Sequence, residues 1–156
     1  MRSWILIADA ARARVFSEAD GEETLSLVHE LDHPKGRTHV VNLVDDEPGR
    51  LQKGKGGTRS AMDPRTSRHV IEVERFAREL AEVLRKGCDA RQYDALAIVA
   101  PPRFMGMLRA ALAAEVQSRL CATAAQESTH ASITELPQLL AGWLPIGWQA
   151  RSATAI

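Results

Sequence analysis

The chain has 156 residues, with 20 Lys or Arg balancing 20 Asp or Glu. That is the size of one domain, large enough to bury a core without metal or disulfide support, and a neutral balance that by itself says nothing about partners. The two cysteines, Cys88 and Cys121, lack metal-site spacing and read as free thiols of a reducing compartment. No apolar run reaches the length of a membrane span or of a signal-peptide core, so a cytoplasmic location is expected, with no metal and no cofactor.

The first run, Trp4–Ala8 (WILIA), is unbroken, apolar and rich in β-formers, the signature of a strand buried on both faces in mid-sheet. Asp9–Arg12 makes a tight reversal into a second strand, Ala13–Ser17. Asp20-Gly21 is a turn signal before a third strand, Leu25–Asp32. Three strands with short turns predict an antiparallel meander.

From His33 to Thr66 the periodicity stops, and the segment is punctuated by Pro34, Gly36, Pro48, Gly49, Gly54, Gly56, Gly57 and Pro64. A long connection of this kind inside a compact domain is usually functional or disordered. Its charge favours function. Between Pro48 and Arg68 there are six Lys or Arg (Arg50, Lys53, Lys55, Arg59, Arg65, Arg68) against the single acid Asp63, about +5 on an otherwise acidic body, which suggests a displayed basic feature.

Ser67–Lys86 carries the strongest helical pattern. Val70, Val73, Phe76, Ala77, Leu80, Ala81 and Leu84 form one apolar stripe. Glu74/Arg78 and Glu82/Lys86 are expected to pair at i,i+4, and Gly87 to end the helix. Asp94–Ala100 is a buried-type strand, followed by Pro101-Pro102 and a second helix marked by Phe104, Leu108, Ala111 and Leu112. Cys121–Gln126 is an alanine-rich strand. Ser132 to Glu135 is a capping box opening a third helix at 133–141, after which a tail, 142–156, carries Trp143 and Trp148.

The order β-β-β-α-β-α-β-α predicts a single α/β domain at 1–141 with a long basic loop at 34–66. Its five-stranded mixed sheet has the order 3-2-1-4-5, with helices on its faces, the ribonuclease-H-like topology. Strands 1, 3, 4 and 5 then run toward one rim, which collects Asp9, Arg12, His33, Arg37, Arg103 and His130 beside the starts of two or three helices. Helix N-termini favour anions, and ligands of open α/β sheets lie beyond the carboxyl ends of their strands.

Several enzyme classes fit poorly. Gly49–Lys55 approaches a phosphate-binding loop, but Gly56 stands where the magnesium-binding hydroxyl belongs and no strand precedes it. A ribonuclease-H-like nuclease needs several carboxylates around two metals; Asp9 is well placed, yet strand 4 ends in Ala100-Pro101-Pro102. No nucleophile elbow or paired base is present.

The stretches WILIADAARARVF, LDHPKGR, PGR, GGTRSAMDPRT, ERFARELAEVL and APPRFMGMLRAAL, in that order, resemble the bacterial family labelled host attachment protein. The likeness covers about residues 3–141. The label implies a role in attachment to host cells. The same family is related to bacterial counterparts of the archaeo-eukaryotic peptide-chain release factors, whose middle domain carries a Gly-Gly-Gln tip before a long helix that begins with an Arg-Phe-Ala-Arg run. Here Gly56-Gly57-Thr58 and Arg75-Phe76-Ala77-Arg78 are similarly placed. Thr58 replaces the glutamine that helps water attack the peptidyl-tRNA ester, which removes the basis for assigning that hydrolysis.

The expectation is therefore a non-catalytic RNA- or ribosome-associated domain. Arg50, Lys53, Lys55, Arg59, Arg65 and Arg103 would contact phosphates, Gly54, Gly56 and Gly57 would allow close backbone approach, and Thr58 would share the same RNA-facing tip. The alternatives are a hydrolase of an ester or phosphodiester that uses Asp9 with a metal or with His33 or His130, and a protein-interaction module linked to host-cell attachment. A homodimer through Trp143 and Trp148 is a further possibility.

Overall fold

The structure, a computed structural model, describes residues 1–19, 24–33, 64–127 and 130–150, with 64–67 and 150 described by backbone alone. Its five strands are β1 (Arg2–Ala8), β2 (Arg12–Ala19), β3 (Ser26–Asp32), β4 (Ala95–Ala100) and β5 (Leu120–Ala125). They form one sheet in the order β3-β2-β1-β4-β5, as the sequence pattern requires. β2 runs antiparallel to β1 and to β3, whereas β4 is parallel to β1 and to β5. The carboxyl ends of β1, β3, β4 and β5 therefore meet at one rim.

Alternation along β1 builds two cores. Trp4, Leu6 and Ala8 face one way, onto Val73, Phe76, Leu80 and Leu84 of α1 (Pro64–Asp89), Phe104 and Leu108 of α2 (Pro102–Ala111) and Val116 of α3 (Ala114–Arg119). Ile5 and Ile7 face the other way, onto Leu136 and Leu140 of α4 (Leu136–Trp143), together with Leu144 and Trp148. Burial on both faces explains why β1 is apolar at every position from Trp4 on. β3, at the edge, is exposed along most of its length, and its pairing with β2 slips at Val15/Phe16, so that Val15 opposes His29 and Phe16 opposes Leu27.

Four expectations need correction. Gly87 does not end α1, which continues to Asp89; a Cβ at this position would run into the Trp4 ring and meet Tyr93 Cε1 at 3.2 Å, so the glycine answers to packing. The expected i,i+4 ion pairs are not the ones formed. Arg85 instead bridges Glu82 at i−3 and Asp89 at i+4, because its forked guanidinium reaches both carboxylates, while Glu74 and Arg78 lie exposed and do not pair. The short helix α3 has no counterpart in the expected order; it follows an extended break at Leu112 and Ala113. Ser132 Oγ does accept the Glu135 N–H at 3.2 Å, but it caps a turn that delays α4 to 136–143, and the segment expected to be a tail supplies Leu144 and Trp148 to the second core.

Candidate functional site

The rim is built around the β1–β2 turn. Asp9 Oδ1 accepts the backbone N–H groups of Ala11 at 2.7 Å and Arg12 at 2.9 Å, and the Asp9 N–H donates to the Arg12 carbonyl at 2.9 Å. One carboxylate oxygen is thus committed to the reversal, the usual use of Asp in a tight turn. His33 is tied to the same turn through its N–H, which donates to the Ala11 carbonyl at 2.6 Å. Its ring stacks on Phe76 with 4.8 Å between centroids, and Nε2 lies 3.8 Å from the Glu72 carboxylate.

Between the start of α1, the Asp9 turn and the start of α2 lies a cleft of about 310 Å³. Val70, Val73, Phe104 and Met107 give it apolar walls, and Asp9, His69, Arg103 and Glu127 give it polar ones. Pro101, which closes the cleft floor after β4, is followed directly by Pro102 at the start of α2. The Pro-Pro pair fixes the chain direction out of the strand and lets the helix begin without a side-chain cap. Arg103 and Glu127 are both exposed.

A second cationic group occupies the other face of the sheet at the same rim. Arg12 Nη1 lies 3.4 Å from His130 Nδ1, and Arg14 Nη2 donates to the Ala131 carbonyl at 2.6 Å. The Arg14 guanidinium sits 5.3 Å from the Phe16 ring centroid, within cation–π range. Burial holds Arg14 below the ordinary arginine range, with Glu30 working against the shift and Arg12 adding to it. Arg12, Arg14, Glu30 and Asp32 border a hollow of about 320 Å³ here. Among the described residues, no group of three or more His, Cys, Asp or Glu is placed to hold a metal ion.

Of the residues singled out from the sequence, the structure brings Asp9, Arg12, His33, Arg103 and His130 to one rim. Arg65 lies in the first turn of α1, described by backbone alone. Arg37, Arg50, Lys53, Gly54, Lys55, Gly56, Gly57, Thr58 and Arg59 lie outside the described residues. Trp148 is enclosed in the second core and Trp143 packs against it. Three rim residues escape the sequence reading. His69 precedes Val70 and Val73 on the apolar stripe of α1, Glu127 sits two residues beyond β5, and Arg14 shares its strand face with Arg12.

A mixed five-stranded sheet in this order, with helices on both faces and a cleft beyond its parallel strand ends, defines a ribonuclease-H-like α/β domain. The chain belongs to the family described as "Protein required for attachment to host cells", whose model matches residues 4–140. No curated protein matches it. Among solved structures it is similar to the archaeal translation termination factor aRF1, at 11% identity and a TM-score of 0.49, over 82% of this chain and 31% of that one. It is also similar to the type II variant of the Aquifex aeolicus Ppx/GppA phosphatase, at 12% identity and a TM-score of 0.37, over 79% of this chain and 35% of that one. The chain thus spans about a third of the length of either protein. No described helix is long and apolar enough to cross a membrane.

Proposed function

We propose that this chain is a non-catalytic, cytoplasmic RNA- or ribosome-associated domain that meets its partner at the rim. One observation carries the reading. The chain leaves the sheet at His33, bonded to the β1–β2 turn, and is described again from Pro64 at the start of α1, whose His69 lines the rim cleft with Asp9 and Arg103. Both ends of the basic, glycine-rich segment therefore belong to the edge that carries Arg12 and Arg103. Phosphate contacts need cations and close backbone approach, not a catalytic glutamine. The resemblance of Gly56-Gly57-Thr58 to a release-factor tip supports the same use, as does the engagement of Asp9 Oδ1 by its own turn.

The test is retention of the purified protein on ribosomes or structured RNA as salt is raised from about 50 to 200 mM, the range over which phosphate contacts weaken steeply. Replacing Arg50, Lys53, Lys55 and Arg59 with Gln should flatten the salt slope by about 0.7 to 0.9 for each phosphate that is no longer neutralised. Absence of binding at the low-salt end sinks the proposal.

A protein-interaction role connected with host attachment is favoured by one other feature, the edge strand β3 with Leu27 46% and Val28 40% exposed. If a protein rather than RNA copurifies, and Leu27→Lys releases it, that reading replaces the first. Self-association through the tail would have to use surface other than Trp148, such as Ile146, which is 97% exposed. A lower solution mass for Ile146→Asp is its signature.

A further inference from the structure

Among the described residues, the rim cleft holds one unpaired charge of each sign at the mouth of an apolar chamber. Arg103 and Glu127 line it, both exposed, and no described residue forms a hydrogen bond or ion pair with either. They do not neutralise each other. Asp9, the other acid in the cleft, has Oδ1 occupied by two backbone N–H groups and is engaged in a further interaction, which leaves the Glu127 carboxylate as the open acceptor among the described residues.

At about 310 Å³ the space lies near the lower limit of ligand pockets, about 300 Å³. It suits a guest the size of a nucleoside and is too small for a folded peptide segment. Val70, Val73, Phe104 and Met107 would cover the flat apolar faces of such a guest. A carboxylate offers two coplanar acceptors and no donor, so it takes a pair of parallel N–H groups best. Of the four RNA bases, only guanine presents two adjacent N–H donors, imino and amino, on its Watson–Crick edge. Adenine and cytosine set a ring acceptor beside their amino group, and uracil flanks its imino group with carbonyls, so each turns an acceptor toward the carboxylate.

The geometry points to a site for one unstacked guanine nucleotide, with the base in the cleft, its N1–H and N2–H donated to Glu127 and its phosphate on Arg103. This deepens the RNA reading and rests on it for the ligand's source, a guanine splayed from a single-stranded loop, which is how RNA sequence is commonly read. A free guanine nucleotide has the same chemistry.

The full chain is titrated with 5′-GMP, 5′-AMP and guanosine, followed by amide NMR shifts and calorimetry, and then with single-stranded oligoribonucleotides that differ by one G-to-A change. GMP should shift the amides of Ala10, Val70 and Met107 and bind better than AMP. Glu127→Gln should cut that preference about tenfold or more. Arg103→Gln should weaken GMP but leave guanosine unchanged. Both side chains are exposed, so both variants should fold normally. Competition between GMP and the G-containing oligonucleotide identifies RNA as the source. GMP binding with no RNA binding leaves the cleft assignment standing and removes the RNA reading. RNA binding that ignores the G-to-A change, with no cleft shifts from GMP, overturns the guanine site alone. So does equal binding of GMP and AMP that Glu127→Gln leaves untouched.

Discussion

Replacing Gly87 with Ala separates local propensity from packing. The residue lies in the last turn of a 26-residue helix, where propensity alone predicts that Ala stabilises by about 0.8–1.0 kcal/mol. The structure predicts the opposite sign. A Cβ there would lie 2.6 Å from Trp4 Cζ3, closer still to Cη2, and 3.2 Å from Tyr93 Cε1. The Trp4 ring has nowhere to retreat, being 2% exposed, stacked on Tyr93 at 4.7 Å and edge-on to His29 at 5.5 Å. Overpacking of a filled core costs about 1–3 kcal/mol, and a clash with two ring atoms of an immobile indole belongs at the upper end. After the propensity gain is subtracted, Gly87→Ala should lose about 1–2 kcal/mol, or roughly 2–8 °C in Tm for a chain of this size. Gly106→Ala is the matched control. It also lies inside a helix, but nothing comes within 4 Å of its Cβ, so it should gain most of the propensity term. Urea unfolding of the two variants against the parent decides the matter. If Gly87→Ala is as stable as Gly106→Ala, the packing account of the long helix is wrong.

Other perturbations follow from the same geometry. Tyr93 donates its phenol to the Leu84 carbonyl at 2.7 Å, and burial pushes its pKa above the usual tyrosine range. The unfolded chain therefore loses this proton first, and the stability held by the neutral phenol is whole below about pH 10 and falls as pH rises further. Tyr93→Phe should cost about 1 kcal/mol at neutral pH, with the gap closing above about pH 10; a gap constant with pH in urea titrations contradicts the assignment. Trp148→Ala should cost about 3–5 kcal/mol, because the ring is 6% exposed against Ile5, Leu140 and their neighbours; an unchanged unfolding midpoint would return the residue to a loose tail. Asp9→Ala removes the acceptor of two N–H groups and should cost about 1–2 kcal/mol, with Asp9→Asn costing less because an oxygen remains.

The fold is legible in the sequence because strand identity depends on the number of buried faces. WILIA reads as central before any pairing is known, since a sheet edge or a half-exposed strand does not tolerate apolar residues at every position. Once β1 is central, the short turns on one side and the helical crossovers on the other leave one order. Gly87 misleads because glycine after an apolar stripe usually terminates a helix, and nothing local announces that a tryptophan 83 positions earlier occupies the space a side chain would need. The site is legible only where strand ends mark it, which gives Asp9, Arg12, His33, Arg103 and His130. Glu127 follows the same rule, but His130 stands close by as a more conspicuous candidate. Arg14 requires knowledge that β2 turns it toward Ala131 on the second face.

The rim residues differ in what their removal does to the fold, and this bears on catalysis against binding. Asp9 holds the β1–β2 reversal through Oδ1, which accepts two backbone N–H groups, so replacing it disturbs the turn whatever else the carboxylate does. Arg103 and Glu127 support nothing else among the described residues, and they face an apolar cleft rather than bulk solvent alone. Exposed residues free of structural duties usually change stability by no more than about 0.5 kcal/mol when replaced. Arg103→Gln and Glu127→Gln should therefore leave the unfolding midpoint in place while altering ligand binding, whereas Asp9→Ala should move the midpoint first. If instead the Asp9 variants abolish a turnover that Arg103 and Glu127 variants leave intact, with the midpoint unmoved in all of them, the rim is an active site and the binding interpretation gives way.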